Sequence, residues 1–202
     1  MASLERFQQE IEEKILDPVG VHHLLVGGFH GQKVDYEMLG DEDPTYLDGI
    51  DLAAERISEL STKNLALAGV ANGGNRIARD IAGRIGGPNV YFLDTAKFGD
   101  RIRYTKASLI VLRANLIKRL VVVDDIGKSG ASILQVIRHT WDRADISDVS
   151  GFCMVVRREK MEKLDELNIA YDSLVKTIMP DYSPRECAQI GFCKDGWKLI
   201  ED

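Results

Sequence analysis

The sequence predicts an α/β protein built on a parallel β-sheet with helices on both faces. Two patterns carry that prediction between residues 65 and 179: short unbroken runs of Val, Ile and Leu, and stretches of helical spacing between them. Strands covered on both faces lack the apolar–polar alternation of a half-exposed strand, and parallel pairing needs a crossover, usually helical. The third observation is length. A chain of 202 residues fits one domain, read as 1–202, with a core over about 60–180 and a small amino-terminal appendage over about 17–50.

The elements follow in order. Residues 3–16 space Leu4, Phe7, Ile11, Ile15 and Leu16 three to four apart behind Ser3 as a candidate N-cap, which predicts an amphipathic helix. From Asp17 to Gly49 the glycines at 20, 27, 28, 31 and 40, the prolines at 18 and 44, and the run Asp41-Glu42-Asp43 predict short strands and turns outside the main sheet. Asp51 to Leu60 returns to helical spacing. Strands are expected at Leu65–Val70, Val90–Leu93, Leu109–Leu112, Leu120–Val123, Val149–Val156 and Leu174–Met179. Helices are expected at Asn75–Ile85, Ser132–Arg143 and Glu159–Leu167. The tail after Pro180 reads as irregular, pinned to the body by Tyr182, Phe192 and Trp197.

Composition removes several classes of function. The hydrophobic fraction of 45% and the charged fraction of 29% are globular averages, against collagen-like, coiled-coil or disordered chains. A net charge of −6 argues against a general nucleic-acid binder. The first residues, MASLERFQQEIEEK, hold no apolar signal segment, and runs such as Leu109-Ile110-Val111-Leu112 are far too short to span a bilayer. Cys153, Cys187 and Cys193 form no disulfide-dense pattern. Free thiols in a reducing, cytoplasmic setting are therefore expected, with neither membrane nor nucleic acid as partner.

One segment carries chemistry. Residues 120–132 read LVVVDDIGKSGAS and lead into ILQVIRHTW at helical period. A buried strand thus ends in Asp124-Asp125, passes a short Gly/Ser loop and enters a helix. Gly127 and Gly130 allow a tight turn that brings backbone N–H groups to a ligand. Ser129 and Ser132 add hydroxyl donors, and the helix start adds unpaired amides and partial positive charge. Together these form an anion cradle suited to a phosphate. Carboxylates beside a phosphate repel it, so Asp124 and Asp125 suit sugar hydroxyls, a divalent cation or a developing positive charge. Gly127-Lys128-Ser129 is not the end of a Walker loop, which needs a glycine where Val122 stands. No G-x-G-x-x-G follows a strand.

This segment resembles the signature of the type I phosphoribosyltransferases: a hydrophobic strand, two acids, then a small-residue loop. The resemblance implies a type I phosphoribosyltransferase-like parallel sheet with an amino-terminal hood at about 17–50. It also implies binding of phosphoribosyl pyrophosphate (PRPP), with its 5′-phosphate on Gly127, Lys128, Ser129, Gly130, Ala131 and Ser132. Asp124 and Asp125 take the positions that hold the ribose hydroxyls and favour a cationic ribosyl centre. Lys128 stands where the family usually has a hydroxyl residue. Ala71-Asn72-Gly73-Gly74, between a strand and a helix, resembles the family's pyrophosphate loop. Asp94 to Lys106, with Lys97, Arg101 and Arg103, resembles its basic mobile lid, and Ala96-Lys97-Phe98-Gly99 is similar to the orotate version without its histidine. There Lys97 would neutralise pyrophosphate, with Arg101 and Arg103 also binding PRPP. Asp94-Thr95 occupies the place of an expected Arg-Lys.

Tyr46 to Leu52 resembles the hood strand of orotate phosphoribosyltransferases, and Tyr182 to Cys187 resembles some of their carboxyl-terminal tails. Orotate is thus the leading base, with Mg2+ carried mainly through PRPP and a homodimer as the assembly. A purine or other base, a PRPP- or nucleotide-sensing regulator without turnover, and an unrelated nucleotide-binding module remain alternatives. The remaining candidates carry less chemistry. Cys187-x5-Cys193 lacks zinc spacing, His22, His23, His30 and His139 form no metal pattern, and Ser129 and Ser132 lack the neighbours of a nucleophile.

Overall fold

The computed structural model describes residues 3–15, 21–25, 29–31, 36, 39–60, 64–114 and 117–200. Five parallel strands form the central sheet in the order β4-β3-β7-β8-β9: β3 (Leu65–Gly69), β4 (Val90–Leu93), β7 (Arg119–Gly127), β8 (Asp148–Val156) and β9 (Ala170–Lys176). Two apolar layers sandwich it. Leu65, Leu67, Val121 and Val123 face one buried cluster with α2 (Pro44–Ser58) and α3 (Gly73–Ile85). Ala66, Ala68, Leu120 and Val122 face the other, with α5 (Ala131–Trp141). Successive side chains point to opposite faces of a strand, so a strand buried on both faces must be apolar throughout. The expected parallel sheet is present.

A second sheet, β10-β2-β1-β11, draws on both ends of the chain. β1 (Val21–Leu25) and β2 (Phe29–Gly31) form its middle, β10 (Asp181–Tyr182) pairs with β2, and β11 (Lys198–Ile200) pairs with β1. The carboxyl-terminal tail is therefore structured. Ser183 caps α7 (Pro184–Ile190) through a reciprocal capping box with Glu186. Tyr182, Phe192 and Trp197 pack on one another within that tail, while the pairing of β10 with β2 and β11 with β1 ties it to the amino-terminal strands.

Four further boundaries differ from expectation. Tyr46 to Leu52 is not a strand; it lies in α2, which starts at Pro44 behind Asp43, whose side chain accepts from the Thr45 N–H. The helix wins because Tyr46, Gly49, Ile50, Ala53, Ala54 and Ile57 then share one buried face. Leu109 to Leu112 is also helical, within α4 (Lys106–Ala114), started by Thr105 accepting from the Ser108 N–H. It forms part of the crossover that parallel β4 and β7 require. The helix expected over 159–167 shrinks to α6 (Glu162–Asp165), and the last core strand begins at Ala170 rather than Leu174. Leu16, Asp17, Pro18, Gly20, Gly27 and Gly28 lie outside the described residues; α1 (Leu4–Ile15) packs Phe7 and Ile11 into the core.

Gly74 positions the site. A Cβ there would lie 2.5 Å from the Val123 carbonyl oxygen and 3.3 Å from the Asp124 Cα. Only glycine lets α3 seat this closely on the carboxyl end of β7. Gly74→Ala should destabilise the fold by about 1–3 kcal/mol, the usual cost of overpacking, measured by urea denaturation. An unchanged midpoint would show that α3 can withdraw freely.

Candidate active site

The strand β7 runs past the acid pair to Gly127, and the chain then turns through Lys128, Ser129 and Gly130 into α5. Gly130 has φ 78°, a left-handed conformation suited to glycine, and a Cβ there would strike Leu164. A Cβ at Gly127 would meet Cys153 and Met161. Both glycines thus also serve packing, beyond the turning role expected of them. The loop is held by its carbonyls: the Gly127 oxygen accepts from the Arg157 N–H and the Ser129 oxygen from the Lys163 N–H. Its donors are left open. No described residue accepts from the backbone N–H groups of Ser129, Gly130, Ala131 or Ser132. Carbonyls anchored in this way, beside amides that no described residue engages at a helix start, are the groups an anion cradle requires.

Asp124 and Asp125 precede this cradle. Asp124 Oδ1 accepts from the Asp125 N–H at 3.1 Å, and Asp125 Oδ1 accepts from the Ile126 N–H at 2.8 Å. Burial holds the Asp124 carboxyl well above the ordinary carboxylate range, and the charge of Asp125 raises it further. The ammonium of Lys97 acts in the opposite direction, so the hairpin β5 (Thr95–Phe98)–β6 (Arg101–Tyr104) brings that lysine within electrostatic reach. Behind the pair, Cys153 faces Asp124 across the ladder, and burial, then the two aspartates, push its thiol upward.

A cavity of about 340 Å3 opens beside the pair, lined by Tyr36, Asn72, Gly73, Arg76, Ile77 and Asp125. Asn72 has φ 72° and ψ −110°, a strained backbone for a residue with a side chain, of the kind retained at ligand sites. The Tyr36 hydroxyl is buried with no hydrogen-bond partner among the described residues, and burial raises its pKa above the usual tyrosine value. Arg76 donates to the Leu39 carbonyl at 2.7 Å, pairs with Asp41 and lies over the Tyr46 ring.

Comparison with known proteins decides the family. The sequence model of the "Phosphoribosyl transferase domain" matches residues 35–182. The chain belongs to the type I phosphoribosyltransferases. Its fold is similar to that of orotate phosphoribosyltransferase from Aeropyrum pernix, at 19% identity and TM-score 0.64, covering 97% of this chain and 99% of that one. It is also similar to the Mycobacterium tuberculosis orotate phosphoribosyltransferase solved with PRPP, at 16% identity and TM-score 0.62, covering 86% and 95%. A phosphoribosyltransferase from Corynebacterium diphtheriae follows at 14% identity and TM-score 0.62, covering 87% and 96%. No curated protein sequence matches significantly. At these identities the likeness speaks for the fold.

In this phosphoribosyltransferase the predicted residues divide into three groups. Asn72, Gly73 and Asp125 line one cavity, Gly74 seats α3 beneath it, and Ser129 to Ser132 follow Asp125 directly. Ala71 is buried in the apolar layer that includes Ala66 and Ala68. Lys128 contributes backbone to the loop, but its ammonium is bound to Asp181 of β10, so the side chain ties the loop to the second sheet. Asp181, nearly buried, also pairs with Arg157 at 3.5 Å and Arg158 at 3.3 Å.

Arg101 and Arg103 lie apart from these groups. They line a groove against α5 with Gln135, Arg138 and His139 rather than the cavity of Asp125. The pleat explains it: Lys97 pairs with Ile102 on one face of the hairpin, while Arg101 and Arg103 occupy the other. Tyr36 and Arg76 were missed in sequence. Tyr36 sits in an aperiodic stretch, but Arg76 carries a signal, a cation in the first turn of a helix, where the dipole disfavours it.

A carboxyl held above its ordinary pKa keeps a proton that the unfolded chain releases, so stability falls as pH rises between those two values. Asp124→Asn retains the Oδ1 acceptor and removes the buried charge. Its melting temperature should exceed the wild type's at pH 8, with the gap closing toward pH 4. A variant less stable at pH 8 would contradict this electrostatic assignment.

Proposed function

We propose that this phosphoribosyltransferase moves the ribose 5-phosphate of PRPP onto a ring nitrogen of a nucleobase, releasing pyrophosphate, with orotate as the leading base in pyrimidine nucleotide synthesis. The observation that carries the proposal is the sequence of groups at the end of β7: two adjacent carboxyl groups, followed by four backbone amides that no described residue engages. A 5′-phosphate on the amides of Ser129 to Ser132 would leave the ribose hydroxyls beside Asp124 and Asp125. The strained Asn72-Gly73 turn, at the start of α3, would hold pyrophosphate.

Catalysis then follows from positioning and from charge placed where charge develops. As pyrophosphate leaves, the ribose becomes cation-like; the carboxylates stabilise it, and Lys97 neutralises the departing group. Magnesium, arriving on the oxygens of PRPP, would supply further neutralisation. The ion would be held mainly through PRPP, with Asp124 and Asp125 the carboxyl groups beside the proposed ribose position.

The case for orotate rests on the cavity more than on the hood, since Tyr46 to Leu52 is helical. Arg76 brings a cation to that cavity, and Tyr36 a hydroxyl with no hydrogen-bond partner among the described residues. A base bearing a carboxylate offers acceptors to both. A homodimer and a cytoplasmic setting belong to the same proposal; the second is supported by free Cys153, Cys187 and Cys193.

One observation favours a sensing role without turnover. Thr95, standing where a lid Arg-Lys is expected, is consumed structurally: its hydroxyl donates to the Gly69 carbonyl and its N–H to Asn75. Incubation with Mg2+, PRPP and orotate or purine bases, following pyrophosphate release, separates the readings. Release with orotate supports the proposal, release with a purine alone moves the base, and PRPP binding without release selects the sensor. Asp125→Asn and Lys97→Ala should each lower kcat by about 10²-fold, the scale of a lost transition-state contact. An unchanged kcat removes that residue from the mechanism.

A further inference from the structure

The hairpin face turned away from Lys97 carries a second concentration of charge. Arg101 and Arg103 from β6 and Arg138 and Arg143 from α5 and its following turn line one groove of about 480 Å3. Four guanidinium groups meet two carboxylates there, Asp100 and Asp142. None of the four arginines forms an ion pair with a described residue. Elsewhere on the surface Arg56, Arg76 and Arg84 each hold a carboxylate. In a chain of net charge −6, unpaired arginines converging on one groove stand out as an anion site.

The groove is built, since its walls are fixed by hydrogen bonds. The Ile102 N–H donates to Gln135 Oε1 at 2.9 Å and the Tyr104 N–H to His139 Nδ1 at 3.2 Å, docking β6 along α5. Tyr104 also stacks on His139, with ring centroids 5.4 Å apart, and its hydroxyl bonds Thr140. Because Nδ1 accepts, the neutral imidazole carries its proton on Nε2, a further donor. Burial, Arg143 and Arg103 all hold His139 below its ordinary pKa, with Asp142 acting against them.

A second lobe of about 220 Å3 shares Arg103, His139 and Arg143 with the first and is otherwise lined by Phe98, Tyr104 and Leu109. Phe98 is 57% exposed at the hairpin turn. Guanidinium groups on one side and aromatic and aliphatic surface on the other match a phosphate chain joined to a flat base. We propose that the groove between β6 and α5 is a second ligand site, taking a nucleoside di- or triphosphate with its phosphates on the four arginines and its base against Phe98 and Leu109. The site is separate from the cavity of Asp125 and stands whether or not the chain transfers a phosphoribosyl group. Occupancy would tie β6 to α5, at the base of the hairpin that carries Lys97.

Calorimetric titration of the full chain with ATP, UTP and inorganic tripolyphosphate tests this, comparing wild type with R138E/R143E. Any binding at the Asp125 cavity is common to both proteins, so their difference reports the groove. Wild type should show a nucleotide-binding event that the double variant weakens by at least about tenfold, as expected for two lost charge-assisted contacts. Circular dichroism should show both proteins equally folded. Equal nucleotide affinity in the two folded proteins overturns the site, and tripolyphosphate binding as tightly as either nucleotide overturns the assignment of a base to the Phe98 lobe.

Discussion

The close seating of α3 on the end of β7 is the constraint from which the rest of the site follows. At Gly74 the helix backbone meets the Val123 carbonyl, and at Gly69 a Cβ would lie 2.3 Å from the Asn75 Cα. Two glycines thus seat the start of α3 at the end of the sheet where β7 passes into α5. Open α/β sheets bind ligands outside the carboxyl ends of their strands. Here that end holds two aspartates between two turns, one strained at Asn72 and one left-handed at Gly130. The arrangement stores electrostatic cost in Asp124, kept above its ordinary pKa by burial and by Asp125. A ligand with hydroxyl donors and an incipient positive centre relieves that cost; a simple anion at the carboxylates would not.

The two sheets are joined through charge. Asp181 on β10 gathers Lys128 from the turn, Arg157 from the end of β8 and neighbouring Arg158. Asp181 is the single anion of the set, so its removal would leave three neighbouring cations without their shared counter-charge, whereas the loss of one cation leaves the carboxylate still paired. Lys128, which reads in sequence as an addition to the phosphate site, thus fixes the turn against the carboxyl-terminal segment. The protein's two ends meet in one sheet, and that sheet is fastened to the turn carrying the free amides.

What was legible in the sequence was what lies contiguous in it. Leu120 to Ser132 contains strand, acid pair, turn and helix start in register, and the folded chain keeps them so. The core strands were legible because burial on both faces demands uninterrupted apolar runs. Leu109 to Leu112 obeyed the same pattern and misled, since four apolar residues in a helix buried at Ser108 and Leu112 look like a strand. Asp43-Pro44 read as loop although a capping acid before proline also starts helices, and Ser183-x-x-Glu186 was an overlooked capping box. Contributions from distant segments were illegible: Tyr36 reaches the cavity from the amino-terminal region, and only the hairpin pleat decides that Lys97 and Arg103 face apart.

The central claim is that the amides after β7 take a phosphate monoester while the aspartates before them take the ribose. Amide chemical shifts during titration with PRPP and Mg2+ address it directly. The account predicts the largest shifts at Ser129 to Ser132, with smaller ones at Asn72 and Gly73. Shifts confined to the groove between β6 and α5, or none at Ser129 to Ser132 under saturating PRPP, would contradict it.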